Sequence, residues 1–366
     1  MASIDKRANG KWRARYRERP GGPQRTRQFD RKVDAQRWLD AIGGDLARGT
    51  YVDPASGRVT FGAYAEQWRL AQVHRPSTAA RVETVLRCHV LPHLGDRPLG
   101  AIRTSELQQW AKGRSEVLAP STLRTVHQLM SAIFAAAVVD RVIASSPAAG
   151  VKLPRPELDE VAPMTRQQVE AMAAAVPDRY GALIVAGAAT GMRQGELLGL
   201  TVDRVDFLRR TIRVDRQLVT VSGQAPYLAP PKTPSSTRTI PAPAVALEAL
   251  GRHLEVFPAG DEGLIFTDDR GQAIRRPHIG HIWRKAAGQS GVEGHTFHDL
   301  RHFTASALIA AGSSVKAVQR FLGHTSAKTT LDVYGHLWPD EEDRTRSALD
   351  AALAAEDSLR TDTSSR

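Results

Sequence analysis

Six side chains in the C-terminal half constrain this chain more than any other feature. Arg193 stands in TGMRQGEL, Lys232 in APPKTPSSTRTI, and His298 and Arg301 lie three apart in HDLRH. His324 closes FLGH, and Tyr334 follows ten residues later in LDVYGH. Two arginines, a lysine, two histidines and a late tyrosine suit one chemistry, the cutting of a phosphodiester by a tyrosine without a metal. A phosphodiester under attack gains charge on its non-bridging oxygens, and guanidinium forks stabilise that charge bidentately. A phenol with an ordinary pKa near 10 is a weak nucleophile and needs a base and local positive charge. The leaving 5′-oxygen needs a proton, which a lysine among other cations can supply. Histidines can bond the phosphate and carry protons.

Each residue alone has an ordinary explanation. Arg193 and Glu196 have the i,i+3 spacing of a helix-surface pair. Lys232 lies in a Pro/Thr/Ser-rich stretch that reads as a solvated loop, and His298 and Arg301 read as a helix start with a solvent-facing arginine. His324 fits a helix C-terminus, and Tyr334 a core aromatic between Val333 and Leu337. Independent explanations do not account for the order and spacing of the set.

The ordered set resembles the tyrosine recombinase (phage integrase) family, whose pattern is Arg, Lys, His-x-x-Arg, His or Trp, then Tyr. The resemblance runs from about Met1 to about Leu349 and is strongest to actinobacterial-type phage or mobile-element integrases with an N-terminal arm-binding domain. It implies that Tyr334 attacks the scissile phosphate to form a 3′-phosphotyrosyl link, that Arg193 and Arg301 clamp the non-bridging oxygens, and that Lys232 protonates the 5′-hydroxyl. His324 would also bond the phosphate, His298 would accept or relay the tyrosine proton, and Glu196 would support the site. No cofactor, metal or ATP is implied. The expected partners are double-stranded DNA at core-type and arm-type attachment sites, three further copies of the chain in a tetramer, an excisionase and a host DNA-bending protein. The implied outcome is integration and excision of a prophage or mobile element. Two other readings remain: a type IB topoisomerase-like enzyme, and a catalytically silent DNA-binding protein.

Net charge is +11 and the pI about 10.1, which points to a polyanionic partner. Residues 1 to 37 hold twelve basic and four acidic side chains, a net of +8. Within them GKWRARYRE alternates as a strand does, with Trp12, Ala14 and Tyr16 on one face and Lys11, Arg13, Arg15 and Arg17 on the other. RTRQF, with Arg25 and Arg27, reads as a second strand beyond the Pro20–Pro23 turn. Asp30 is placed to cap a helix with Val33, Ala35, Trp38, Leu39 and Ile42 as its apolar positions. This sheet resembles the arm-type DNA-binding domain of phage integrases. Lys11, Arg13, Arg15, Arg17, Arg25 and Arg27 are its candidate DNA contacts, against the alternative of a basic hairpin without sequence preference.

Four domains are expected: an arm-type reader over 1–56, a core-binding helical domain over 57–152, a catalytic domain over 160–349 and a tail over 350–366. The fold class is multidomain α+β. A small N-terminal sheet with a helix precedes an all-α bundle and a mostly α catalytic domain with a small antiparallel sheet. In the bundle, helical patterns carry Phe61, Tyr64, Ala65 and Trp68, then Val82, Val85, Leu86 and Val90, then Leu107 and Trp110 behind a Thr104 cap. The last carries Leu123 through Phe134, and LPHLGDRPLGAI reads as irregular. In the catalytic domain TIRVDRQLVTV reads as one strand and STRTIPAP as a sheet edge. Leu300, Phe303, Ala307 and Leu308 recur at helical spacing. Pro339 and the acidic run Asp340–Asp343 follow the tyrosine, and ALDAALAAEDSL reads either as a helix docking on a neighbouring copy or as a cis-packed or frayed end. No signal peptide and no run of about 18 apolar residues is evident. The single cysteine, Cys88, reads as a buried or inert thiol, in keeping with a reducing cytoplasm.

Overall fold

The computed structural model describes residues 2–19, 21–53, 55–155, 162–338, 346 and 349–353. Pro339, the acidic run and most of the tail sequence lie outside these residues. Internal contacts divide the chain into two units, Met1–Glu157 and Leu158–Arg366.

The first unit opens on three antiparallel strands, β1 (Ser3–Lys6), β2 (Trp12–Arg17) and β3 (Gln24–Phe29), in that spatial order. β1 was not expected, because SIDK is too short to show a period. The alternation of β2 governs the packing. Ala14 and Tyr16 are buried against Ala35 and Leu39 of helix α1 (Lys32–Arg48), while Arg13, Arg15 and Arg17 face the other way. Cross-strand register places Arg13 beside Gln28, Arg15 beside Thr26 and Arg17 beside Gln24. That face is therefore polar as well as basic. Asp5 of β1 pairs with both Arg13 (2.9 Å) and Arg15 (3.1 Å).

Arg27 and Arg25 lie opposite Ala14 and Tyr16, so register puts them on the helix side of the sheet. Arg25 pairs with Asp53, and the Arg27 guanidinium stacks 5.4 Å from the Phe29 ring centroid. Asp30 does not cap α1. The capping position is Arg31, without a side-chain bond, and Asp30 instead pairs with Lys11 at 3.4 Å. Val33 is 59% exposed and not part of the apolar stripe. The chain leaving α1 is tied down by Tyr51, whose hydroxyl bonds that of Tyr16 at 2.6 Å.

A separate core follows in the same unit. It joins α2 (Phe61–Ala71), α3 (Pro76–Val85), α5 (Thr104–Ser115) and α6 (Pro120–Val139). α3 runs through a π turn, Leu86–Val90, into the short α4 (Leu91–Leu94), so part of the segment expected to be irregular is helical. Thr104 is the first helical residue rather than the cap, which is Arg103. Phe61, Leu107, Leu123, Met130, Ile133 and Phe134 are fully buried here. α6 is long and apolar enough to cross a membrane, contrary to the sequence reading, but its apolar stripe forms this core. Cys88 is exposed, which corrects the expectation of a buried thiol.

The second unit begins with α7 (Arg166–Ala175), closed by a capping box between Thr165 and Gln168. Then come α8 (Asp178–Thr190) and α9 (Gln194–Leu198). A small antiparallel sheet follows, built from β4 (Val205–Asp206), β5 (Thr211–Val214) and β8 (Arg238–Pro241), with β5 central. β6 (Gln217–Val219) and β7 (Tyr227–Ala229) form a separate hairpin. The single strand expected over TIRVDRQLVTV thus breaks at Asp215. The Asp215 carboxylate gathers Arg204 (3.0 Å), Arg213 (3.1 Å) and Arg216 (3.2 Å) and organises a corner. Helices α10 (Ala244–Val256), α11 (Arg276–Ser290), α12 (Asp299–Ala310), α13 (Val315–Leu322) and α14 (Ala327–Tyr334) complete the unit. One large core holds Leu183, Ile212, Ile240, Leu250, Phe266 and Leu300. A smaller one joins Ala305, Ile309, Val318, Leu322 and Tyr334. The buried stripe of α12 is Leu300, Arg301, Thr304, Ala305 and Ile309, whereas Ala307 is exposed. Of the positions expected from helical spacing, Leu300 is buried and Phe303 and Leu308 pack against the cores, but spacing missed Arg301 and Thr304 on the inner face.

Candidate active site

Two left-handed glycines set the frame. Gly191 (φ +59°) ends α8, and a Cβ there would stand 2.8 Å from Leu322 Cδ2. Gly323 (φ +69°) ends α13, and a Cβ there would crowd the Arg238 side chain at 3.0 Å. Any other residue would be strained by the left-handed backbone and would push on these side chains. Each carbonyl serves an arginine: Gly191 O accepts from Arg301 Nη1 at 2.7 Å, and Gly323 O accepts from Arg193 Nη2 at 3.1 Å. The glycines of TGMR and FLGH thus hold the arginines as well as ending helices.

Arg193 is the capping residue of α9, and its backbone N–H donates to Glu196 Oε2 at 3.0 Å. Its Nη1 bonds Glu196 Oε1 at 2.7 Å. Glu196 is 3% exposed and also takes Arg238 Nη2 at 3.0 Å. Burial alone would raise the Glu196 pKa, but the charges and hydrogen bonds of Arg238 and Arg193 together outweigh it and hold the carboxyl below its ordinary value. Glu196 is therefore a buried anion between two cations, not half of a surface pair.

Arg301 is 2% exposed, and its Nη2 is buried with no hydrogen-bond partner among the described residues. Burial, then the charges of Arg193 and Arg238, pull its pKa down to about 9, so it remains a cation at neutral pH. Three guanidinium groups thus lie near a single carboxylate, which pairs directly with only two of them, Arg193 and Arg238. Buried charge left uncompensated costs several kcal/mol, and this excess is what a bound phosphate would offset.

His324, just after Gly323, bonds Thr330 Oγ1 through Nδ1 at 2.9 Å and stacks on Tyr334 with ring centroids 6.3 Å apart. If the Thr330 hydroxyl donates to Nδ1, the ring proton of neutral His324 is on Nε2. Burial, then the neighbouring arginines, push the His324 pKa down to about 3. His298 is pushed down to about 4, by burial first and then by His302 and Arg301. Tyr334, at the end of α14, is 1% exposed, and burial raises its pKa to about 12 although Arg301 opposes the rise. Its hydroxyl bonds His302 Nδ1 at 2.8 Å. His298, the histidine expected to serve the tyrosine, instead lies edge-to-face with His302 at 5.0 Å.

Lys232 is exposed on the loop between β7 and the turn Pro234–Ser236. That loop is tethered to the arginine cluster, because Thr233 Oγ1 bonds Ser236 Oγ at 2.9 Å and Ser236 Oγ accepts from Arg193 Nη1 at 3.4 Å. Among the described residues no group of three or more His, Cys, Asp or Glu could hold a metal ion.

Two family signatures match the chain: the phage integrase family over residues 163–341, and the phage integrase central domain over residues 61–153. Together they take in both the helical core and the arginine–tyrosine site. The chain belongs to the phage integrase family of tyrosine recombinases. It is similar to the "Putative prophage phiRv2 integrase" of Mycobacterium tuberculosis, with 29% identity over 358 residues and 94% of each chain covered. The integrase of Mycobacterium phage D29 is 23% identical over 83% of this chain and 84% of its own.

Among solved structures, the fold matches the Tn1549 transposon integrase in complex with a circular intermediate DNA (TM-score 0.69, 23% identity, 80% of this chain and 99% of that one). It also matches a lambda integrase tetramer bound to a Holliday junction (TM-score 0.59, 17% identity, 88% and 96%). This tyrosine recombinase is thus a DNA breaking-rejoining protein with an integrase-like fold.

Sequence reasoning missed two residues of the site. Arg238 is hidden inside STRTI, which reads as part of a strand, and His302 is the last letter of HDLRH. Alternation along β8 places Arg238 and Ile240 on one face, so a buried arginine beside a core residue was the available signal. His302 stands one residue after a buried arginine, which carries no such signal.

Proposed function

We propose that this recombinase is a site-specific integrase that cuts and rejoins DNA through a 3′-phosphotyrosine, integrating and excising a prophage or mobile element. The observation that carries the reading is the buried Tyr334 hydroxyl near the buried Arg301, whose Nη2 has no partner among the described residues, with Arg193 and Arg238 held on the buried Glu196 carboxylate. Arg193 and Arg301 bind the non-bridging oxygens of the scissile phosphate, and His324 donates to one of them from Nε2. Tyr334 attacks phosphorus, and Lys232 swings in with its loop to protonate the 5′-oxygen. Arg238 and Glu196 hold Arg193 in place. His298, held neutral, relays the tyrosine proton. Four copies of the chain act as a tetramer on two duplexes in the cytoplasm of a bacterial host. An excisionase and a host DNA-bending protein join them at core-type and arm-type sites.

The arm reader spans residues 1–56, the core-binding domain 57–152, the catalytic domain 160–349 and the tail 350–366. Of the candidate arm contacts, Arg13, Arg15 and Arg17 lie on the open sheet face, with Lys11 at its edge. Arg25 and Arg27, on the helix side, reach phosphate only from the strand edge. The test is covalent trapping in EDTA on a nicked duplex taken from the DNA flanking the gene. The expected result is a protein–DNA adduct in the wild type and none in Tyr334→Phe. An adduct in that variant would refute the nucleophile. Binding without an adduct in the wild type would favour a silent DNA-binding protein. A two-duplex strand-exchange assay separates recombinase from topoisomerase.

A further inference from the structure

We infer that His302, rather than His298, takes the proton of Tyr334 when the tyrosine attacks phosphorus. The inference rests on the tyrosine recombinase reading above and assigns a catalytic group to it. The Tyr334 hydroxyl needs a base within hydrogen-bond reach, and His302 Nδ1 lies 2.8 Å from its oxygen with the rings tilted 64° at 5.4 Å. Both residues belong to the same unit, on α12 and at the end of α14, so the contact is made within one chain. An imidazole can act here only while neutral. Burial, then the charge of Arg301, holds His302 below its ordinary pKa against the opposing pull of Asp299. The proton it already carries then sits on Nε2, leaving Nδ1 as the acceptor. His302 is only partly buried and stands edge-to-face with His298. The accepted proton can therefore pass outward, with His298 as a second station rather than the first.

The step balances without an added reagent. The Tyr334 O–H bond breaks, its proton goes to His302 Nδ1, and the freed oxygen pair forms the O–P bond. The P–O5′ bond breaks, and its electron pair leaves on O5′, which takes a proton from Lys232. In rejoining, the 5′-hydroxyl returns its proton to the Lys232 amine as its oxygen attacks phosphorus, the bond from phosphorus to the Tyr334 oxygen breaks, and the imidazolium protonates that oxygen.

The test compares single-turnover adduct formation on the nicked flanking duplex for wild type, His302→Asn and His298→Asn, each with tyrosine or a more acidic difluorotyrosine at position 334. Asparagine keeps an acceptor near Nδ1 but cannot hold the proton. His302→Asn is expected to slow cleavage by roughly 10²- to 10⁴-fold, and the fluorinated phenol to recover at least about a tenth of that loss, since an already acidic phenol needs less help from a base. His298→Asn should cost less and gain less from fluorination. His302→Gln, made in parallel, supplies the same comparison should the asparagine variant not fold. Wild-type rates in both His302 variants would overturn the inference and leave the recombinase reading intact. So would a loss that fluorination does not relieve, or a larger relieved loss in His298→Asn. No adduct in the wild type would overturn the recombinase reading and this inference with it.

Discussion

The Arg238 guanidinium donates to the Glu196 carboxylate at 3.0 Å, with the two side chains 6% and 3% exposed. The same carboxylate receives Arg193 at 2.7 Å, so one buried anion positions two cations. Removing one partner of such a pair strands a buried charge and costs about 3–5 kcal/mol. Glu196→Ala should therefore lower the unfolding free energy of the catalytic unit by about that amount in urea denaturation. A loss under about 1 kcal/mol would show that the pair is not sealed as described.

Arg301 is held by the Gly191 carbonyl, with its Nη2 left to meet a ligand. Arg301→Lys keeps a charge but loses the fork, because an ammonium cannot bond the carbonyl and a phosphate oxygen with the same geometry. Cleavage in this variant should fall on the order of 10²-fold or more, measured as the rate of adduct formation. Full activity would mean that only charge is needed.

The two faces of the N-terminal sheet carry different arginines: Arg13, Arg15 and Arg17 on the face away from α1, and Arg25 on the helix side. Arg13→Ala, Arg15→Ala and Arg17→Ala should each reduce the slope of log binding constant against log salt by up to about 0.9, the share of a single neutralised phosphate. Arg25→Ala should change it less, since register puts Arg25 on the helix side of the sheet. Equal effects for all four would mean that strand face does not decide which arginine meets DNA.

Two histidines couple stability to pH. His298 is held down to about 4 and His324 to about 3, against an ordinary value of 6.5. Between those values and 6.5 the unfolded chain binds more protons than the folded one, so stability is fully present above about pH 6.5 and is lost as pH falls toward 4 and then 3. Both rings are partly solvated, so each contributes at most about 1 kcal/mol by pH 5. Melting curves from pH 7 to pH 5 should show this loss reduced in His324→Gln. An equal pH dependence in the variant would remove His324 as a cause.

Much of this protein was legible in the order of its residues. Local spacing marked β2, the helices of the central core and the ordered Arg, Lys, His, Arg, His, Tyr set. These signals are periodic or motif-bound and survive without knowledge of the partner that each face meets. Tertiary structure decided what depends on residues far apart in the chain. It put Arg25 on the helix side of its sheet through register with Tyr16, and split one expected strand where Asp215 gathers three arginines. It buried Arg238 against Glu196, 42 residues away, and set His302 rather than His298 on the Tyr334 hydroxyl, 32 residues away. A short-range period reports only which side of an element a residue is on. Which cation meets which anion, and which base meets the nucleophile, is settled where the helices cross.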